Sequence, residues 1–263
     1  MSFRGKVAVV TGGSKGIGLA AARLLAGQGA STAVVSFHDA GDVVREIRGT
    51  AGHDQVIGIQ ADVSDAAQVR QMVQQVTDAF GGVDILVNSA GIQRYGNVVD
   101  TDEELWDQVI DTNLKGMFLT SKYCIPAMRK RGGGAIVHVS SVQAYAAQKG
   151  VAAYSASKGG INALMRAMAV DHAADGIRVN AVCPASVDTP MLRFAADLLR
   201  GEMSQESMVE TWGAMHPIGR VGTPEEIAHL IAYLCSDKAS FITGADIKID
   251  GGLLSAIGVA LPE

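Results

Sequence analysis

Three side chains in the middle of the chain have the types and spacing for acid–base work on an oxygen. Tyr154 and Lys158 stand at i and i+4, which puts both on one face of a helix. A free tyrosine titrates near ~10, and a neighbouring ammonium favours the phenolate and lowers that value. Tyr-x3-Lys therefore reads as a general base with its own tuning cation. Ser141 ends the preceding apolar run and can position the oxygen that exchanges the proton. Alternation along a strand points the adjacent Ser140 to the opposite face. Tyr145 and Lys149 repeat the spacing. They lead into Gly150 and read as loop, whereas the segment 152–168 carries a helical pattern rich in small residues.

A second constellation lies near the N-terminus. Thr11-Gly12-Gly13-Ser14-Lys15-Gly16-Ile17-Gly18 follows an apolar run and opens a helix. Glycine lets the backbone approach a pyrophosphate, and the free amides and positive dipole end of the helix hold the anion. The spacing is Gly-x3-Gly-x-Gly, neither a Gly-x-Gly-x2-Gly motif nor a Walker loop. An ordinary glycine-rich turn is the alternative. Asp62-Val63 ends a third apolar run, where Asp62 suits either an adenine amino group or a helix cap.

The elements that must hold these groups alternate from end to end. Strands are expected at Val7–Val10, Thr32–Phe37, Val56–Gln60, Val83–Val87, Ala135–Val139, Ile177–Val182 and Asp246–Ile249. Helices are expected at Ile17–Gln28, Ala40–Gly49, from a Ser64 cap (with Asp65 in the first turn) to Phe80, over Asp102–Arg131 with a break near Asn113 and Gly116, at Ala152–Ala174, and at Pro224–Cys235 behind a capping Thr223. Strands that are apolar throughout and alternate with helices imply an α/β fold, a parallel sheet of seven strands covered on both faces. The one long irregular region, 186–222, carries a helical Arg193–Arg200 and then a polar stretch. A connection of that length reads as a substrate lid within a single domain spanning 1–263.

These motifs together resemble the short-chain dehydrogenase/reductase superfamily, within it the sugar 1-dehydrogenases and the 3-oxoacyl-carrier-protein reductases. Thr11-Gly12-x3-Gly16-x-Gly18 is similar to its nicotinamide-dinucleotide signature, and Tyr154-Ser155-Ala156-Ser157-Lys158 to its catalytic segment. Asn88-Ser89-Ala90-Gly91 is similar to its Asn-Asn-Ala-Gly turn, with Ser89 in place of the second Asn. Pro184-Ala185-Ser186-Val187-Asp188-Thr189 is similar to its Pro-Gly-x-Val-x-Thr segment, with Ala185 in place of Gly. The resemblance implies a Rossmann-type doubly wound sheet and NAD or NADP as cofactor. It implies that Gly12, Ser14, Lys15, Gly16, Ile17 and Gly18 hold the pyrophosphate side, and Ser36, Phe37, Asp62 and Val63 the adenosine half. Asn88, Ala90 and Gly91 would lie along it, and Pro184, Val187 and Thr189 beside the nicotinamide. Tyr154 and Lys158 join the cofactor contacts, and Asn113 completes Ser141, Tyr154 and Lys158 as a fourth catalytic residue that bends a helix and carries a proton relay. An Asn that merely forms the bend is the alternative.

The NAD-or-NADP preference stays open: Ser36 stands where an acid would select NAD, Lys15 and His38 could meet a 2′-phosphate, and Asp39 could turn inward. Gln93, Arg94, Gln143 and Gln148 are expected around a small-molecule substrate, with Ser141 and Tyr154. Amides suit a sugar or polyol, and reduction of a 3-oxoacyl thioester is the alternative. Arg94 would match an anionic substrate group, although a solvated loop residue is the plainer reading. His138 reads as structural. Intact Ser141, Tyr154 and Lys158 argue against a nucleotide sensor without catalysis.

Composition excludes other classes. Hydrophobic residues are 48% and charged residues 19% of 263, with a net charge of −5, which excludes disorder and leaves no basic footprint for nucleic acid or an anionic membrane. Cys124, Cys183 and Cys235 give neither a disulfide framework nor a metal cluster, and no metal is expected. The segment 1–6 does not read as an export signal, so a cytoplasmic protein is expected. The resemblance implies a homotetramer formed through Leu105–Arg131 and Ala152–Ala174, with the apolar tail Leu253–Glu263 docking on a neighbour.

Overall fold

The computed structural model describes residues 1–257. Seven strands, β1 (Val7–Thr11), β2 (Ser31–Ser36), β3 (Val56–Gln60), β4 (Ile85–Asn88), β5 (Gly134–Val139), β6 (Ile177–Pro184) and β7 (Asp246–Ile249), form one sheet in the order β3-β2-β1-β4-β5-β6-β7. Every pairing is parallel. This is the expected single-domain doubly wound α/β fold.

Strand alternation builds two apolar layers. Ala8, Val10 and Val34 face α1 (Gly16–Gly27), α2 (Gly41–Ala51) and α9 (Pro224–Cys235), where Leu25, Ile47 and Ile231 are fully buried. Val7, Val9 and Val35 face the other side, packed with Met72 of α3 (Ala66–Phe80), Met128 of α5 (Gly116–Lys130) and Met165 of α6 (Ala152–His172). Both faces are covered, which is why the central strands carry no polar alternation.

The direction of strand order reverses between β1 and β4, with Thr11 opposite Asn88. In such sheets the ligand crevice lies outside the carboxyl ends of the strands at this reversal. Both the glycine turn and the 88–91 turn leave the sheet there. Thr11 Oγ1 ties them together by accepting from the Ser89 and Ala90 amides, each at 3.2 Å.

Several boundaries differ from expectation. Phe37 falls outside β2 and is 62% exposed. Asp65, not Ser64, caps α3: its carboxylate accepts from the Ala67 and Gln68 amides. Ser64 instead donates to Asp62, through its amide (2.9 Å) and its hydroxyl (2.7 Å). The 102–131 pattern is α4 (Glu103–Ile110), capped by Asp102, then a π-turn at Asp111–Lys115, then α5. The break near Asn113 is thus a widened turn. The region 186–222 holds two helices. The first, α7 (Pro190–Leu199), starts before Arg193 because Thr189 caps it and Pro190 occupies its first turn. The stretch expected to be merely polar contains α8 (Gln205–Ala214), capped by Ser204 with acidic Glu206 in its first turn. The ends of this region meet, since the Gly222 amide donates to Ser186 O and the Asp188 amide to Gly222 O, both at 2.9 Å.

Candidate active site

A cleft of about 1240 Å³ runs along the carboxyl ends of the strands from the glycine turn to α7 and α8. At one end it is built by close backbone approach. Gly12 has φ +63°, and a Cβ there would stand 2.8 Å from the Ala90 nitrogen. A Cβ on Gly18 would meet Gly12 O at 2.3 Å, so Gly18 packs the helix onto the turn rather than lining the cleft. Gly16, at φ +52°, would press a Cβ on Thr189 at 3.1 Å. Ser14, Lys15, Gly16 and Ile17 line the cleft at the start of α1. No acidic residue sits in that helix's first turn, so its amides and dipole face the cleft without a competing anion. The shape and chemistry of this cradle fit the pyrophosphate of a dinucleotide.

Beyond the cradle, Ser36 and Phe37 line the wall, and the Ser36 and Ser14 hydroxyls hydrogen-bond at 2.9 Å. Asp39 does not turn inward; it is exposed and accepts from the Gly41 amide at the start of α2, at 3.2 Å. Asp62 and Val63 line the cleft, with Asp62 engaged by Ser64. Ala90 and Gly91 line it too. Asn88 does not, contrary to expectation. It is fully buried, accepting from Thr120 Oγ1 at 2.7 Å and facing His138 Nδ1 at 3.2 Å. It supports the turn from below because the side chain at the strand end points into the helical layer. His138 is likewise buried, held down to about 4 by burial and by the nearby Lys158 charge, and stays neutral.

Ser141, Tyr154 and Lys158 line the same cleft. Ser141 leaves the end of β5 and hydrogen-bonds the Tyr154 phenol, and its hydroxyl also accepts from the Gln143 amide at 3.1 Å. Ser140 turns inward and donates to Lys158 O at 3.2 Å. Lys158 is 5% exposed; its Nζ donates to Val139 O at 2.9 Å and lies 5.2 Å from the centroid of the Tyr154 ring. Burial pushes the Tyr154 phenol up to about 12, against the lowering effect of the Ser141 hydrogen bond, and the nearby Tyr95 adds to the rise. Burial pulls the Lys158 ammonium down to about 8. The expected depression of Tyr154 is therefore absent in the free protein. Burial is the largest influence on the phenol, and the ammonium faces the ring and a carbonyl. Tyr145, the rival tyrosine, is outside the cleft and bonds to Asp246 O at 3.3 Å.

Asn113 sits behind the cleft wall, fully buried in the π-turn. Its Oδ1 accepts from the Ile92 amide at 2.8 Å, and its Nδ2 donates to Ile92 O at 2.9 Å and Ser157 Oγ at 3.1 Å. A Cβ on Gly91 would stand 3.3 Å from Asn113 Oδ1 and 3.9 Å from Lys158 Nζ, so the 91–92 backbone, the π-turn and α6 converge on one point.

Pro184, Val187 and Thr189 line the cleft beyond Tyr154, and Gln93, Arg94, Gln143 and Gln148 line its far side. Gln143 is held by Ser155 (3.2 Å) and Gln148 (3.3 Å). Tyr95, which was not expected, and Trp212, Met215 and His216 of the expected 186–222 lid complete the wall. His216 donates from Nδ1 to Trp212 O at 2.8 Å and accepts the Ser186 amide at Nε2 at 3.4 Å; the donor and acceptor sides follow from these partners. Trp212 belongs to α8, in the stretch read as polar, and Met215 and His216 follow directly on it; no spacing in the sequence marks these particular side chains. Leu253 and Leu254 of the tail line the cleft; residues 258–263 of that tail lie outside the described residues. Among the described residues no cluster of His, Cys, Asp or Glu could hold a metal ion, and no helix is long and apolar enough to cross a membrane.

A crevice at the strand-order reversal, a glycine cradle and a Ser-Tyr-Lys wall define a dinucleotide-dependent oxidoreductase of the short-chain type. The chain belongs to the short-chain dehydrogenase/reductase family. The family model described as enoyl-(acyl carrier protein) reductase matches residues 12–254. The chain is 40% identical to the cis-4-hydroxycyclohexanecarboxylate dehydrogenase of Sinomonas cyclohexanicum, covering 95% of this chain and 97% of that protein. It is 39% identical to the 3-oxoacyl-[acyl-carrier-protein] reductase FabG of Thermotoga maritima, covering 97% and 100%. The solved structure of the Thermoplasma acidophilum aldohexose dehydrogenase superimposes with a TM-score of 0.90 at 37% identity, over 99% of this chain and 98% of that one. Members of the family normally bind NAD or NADP, and this chain is an oxidoreductase acting on CH–OH groups.

Proposed function

We propose that this oxidoreductase converts a hydroxyl of a sugar or related polyol to a carbonyl, with NADP preferred over NAD. The observation that carries the reading is the convergence of Ser141, Tyr154 and Lys158 on the cleft that the glycine cradle opens. The dinucleotide, when bound, accepts or supplies the hydride. Ser141 holds the reacting oxygen and Tyr154 takes its proton. Lys158, one helical turn on, reaches toward the nicotinamide ribose and favours the phenolate only once the dinucleotide is bound, since in the free protein burial holds the phenol up to about 12. Asn113 anchors the 91–92 backbone and supports the proton relay. Pro184, Val187 and Thr189 orient the nicotinamide. The segment 186–222, its ends tied at Ser186, Asp188 and Gly222, acts as the substrate lid of a single domain.

The NADP preference rests on charge. Ser14, Ser36, Lys15 and His38 line the adenosine end, while Asp39 is engaged with α2. No carboxylate at the end of β2 is then left to repel a 2′-phosphate. The sugar reading draws on the amides of Gln93, Gln143 and Gln148 and on the aldohexose dehydrogenase likeness. A second reading, reduction of a 3-oxoacyl thioester, draws on the apolar lid side, where Met191, Leu192, Trp212 and Met215 line the cleft. The same proposal includes a cytoplasmic homotetramer, consistent with exposed Trp106, Phe118 and Val170 on α4, α5 and α6.

The test is a substrate screen with both cofactors, following reduced nicotinamide. Oxidation of aldoses or polyols, faster with NADP, is expected. Reduction of a 3-oxoacyl thioester with no sugar oxidation discards the sugar reading.

A further inference from the structure

We infer that the substrate carries a carboxylate and that Arg94 reads it. The inference rests on the reading above, that the cleft holds a hydroxylated substrate beside Tyr154, and deepens it to a hydroxy acid of the sugar-acid kind.

Arg94 is half-buried in the cleft wall. Its only hydrogen bond among the described residues runs from Nη1 to Gln93 O, at 3.1 Å. No carboxylate lies at ion-pair distance from it among those residues. The two carboxylates in the wall are engaged elsewhere: Asp62 accepts from Ser64 (2.7 Å) and Asp111 pairs with Lys115 (3.2 Å). The other fixed cations there are accounted for, Lys15 by the phosphate cradle and Lys158 by the Tyr154 pair. A guanidinium in the cleft wall without a counter-ion is free to meet an anion that arrives with the ligand.

The backbone that carries it is fixed on both sides. Ile92 is gripped through both its amide and its carbonyl by Asn113. Gly96 donates to Gly150 O at 2.8 Å and accepts from the Ala152 amide at 3.2 Å, at the start of the Tyr154 helix. Arg94 is therefore presented by a short clamped segment, at a set position relative to Tyr154, rather than by a free loop. Preorganisation of this kind lowers the ordering cost of binding. A planar guanidinium matches a carboxylate in bidentate fashion. Gln93 and Gln143 remain to meet the hydroxyls.

The test compares galacturonate with galactose, which share an anomeric hydroxyl and differ at the far carbon by a carboxylate. The wild type should show kcat/KM for galacturonate roughly 10- to 100-fold above that for galactose, the range of a hydrogen bond to a charged group. Arg94→Gln should collapse that ratio through KM rather than kcat, and Arg94→Lys should restore part of it. A ratio unaltered in Arg94→Gln overturns the inference, as does weakened NADP binding in that variant, which would place Arg94 on the cofactor. Galactose 6-phosphate outpacing galacturonate also overturns it, in favour of a phosphate reader. If the wild type turns over neither sugar, the sugar reading fails by itself. Arg94 is then judged by calorimetry of galacturonate on the NADP-loaded protein: binding weakened roughly 10-fold in Arg94→Gln sustains the inference, and equal binding overturns it.

Discussion

Lys158→Met should make the free protein more stable at neutral pH while removing its activity. The ammonium is 5% exposed and burial pulls it from an ordinary 10.5 down to about 8. Each pKa unit corresponds to ~1.4 kcal/mol, so holding the charge at pH 7 costs the fold about 3 kcal/mol. Met removes that cost at similar volume. It also removes the donor to Val139 O, a loss of ~1 kcal/mol. The net gain is about 2 kcal/mol, or a rise in Tm of roughly 4–8 °C for a chain of this size. The gain has a definite pH dependence. Because the folded pKa lies below the unfolded one, the unfolded chain binds the extra proton between about 8 and 10.5, and wild-type stability rises through that window. The advantage of Met is therefore full at pH 7 and fades by pH 10. Thermal unfolding at both pH values, without cofactor, measures it. A variant less stable than wild type at pH 7, or a gap that does not shrink with pH, would refute the reasoning.

Gly12→Ala should cost ~1–3 kcal/mol from the positive φ alone, and more from a Cβ 2.8 Å from the Ala90 backbone. Loss of dinucleotide binding with a lowered Tm is the expected result. Gly5→Ala, also at positive φ but with nothing within 4 Å of its Cβ, should lower Tm and leave dinucleotide binding intact. Ser36→Asp adds negative charge at the adenosine end of the cleft; the KM ratio of NADP to NAD should rise roughly 10-fold or more, and an unchanged ratio would place the discriminating group elsewhere.

The fold was legible because its signals are local and repeated. Apolar runs such as Val7–Val10 and Ile177–Val182 have no polar alternation, which only a doubly covered sheet explains. The cleft's floor was legible for the same reason: Gly12, Gly16, Ser141, Tyr154 and Lys158 sit at element ends whose spacing is visible. What was hidden depends on side-chain direction and on contacts distant in sequence. Asn88 ends β4 two residues before the cleft-lining Ala90 and Gly91, yet its amide turns toward Thr120 and His138. Asp39 had a nearby amide to cap, which no pattern weighs against a ribose. That the 186–222 lid lines the cleft was legible, but which of its side chains do so was not, because α8, with Trp212 in it and Met215 and His216 after it, forms behind a Ser204 cap in a stretch without strong apolar periodicity. The raised phenol of Tyr154 follows from burial, and burial at one atom is not written in spacing.

The central claim is that the Tyr154 hydroxyl exchanges the proton as hydride moves. Tyr154→Phe keeps the ring and its packing and removes only that hydroxyl. Turnover should fall by roughly 10²- to 10⁴-fold in a folded protein that still binds the dinucleotide. Turnover close to wild type in that variant contradicts the claim.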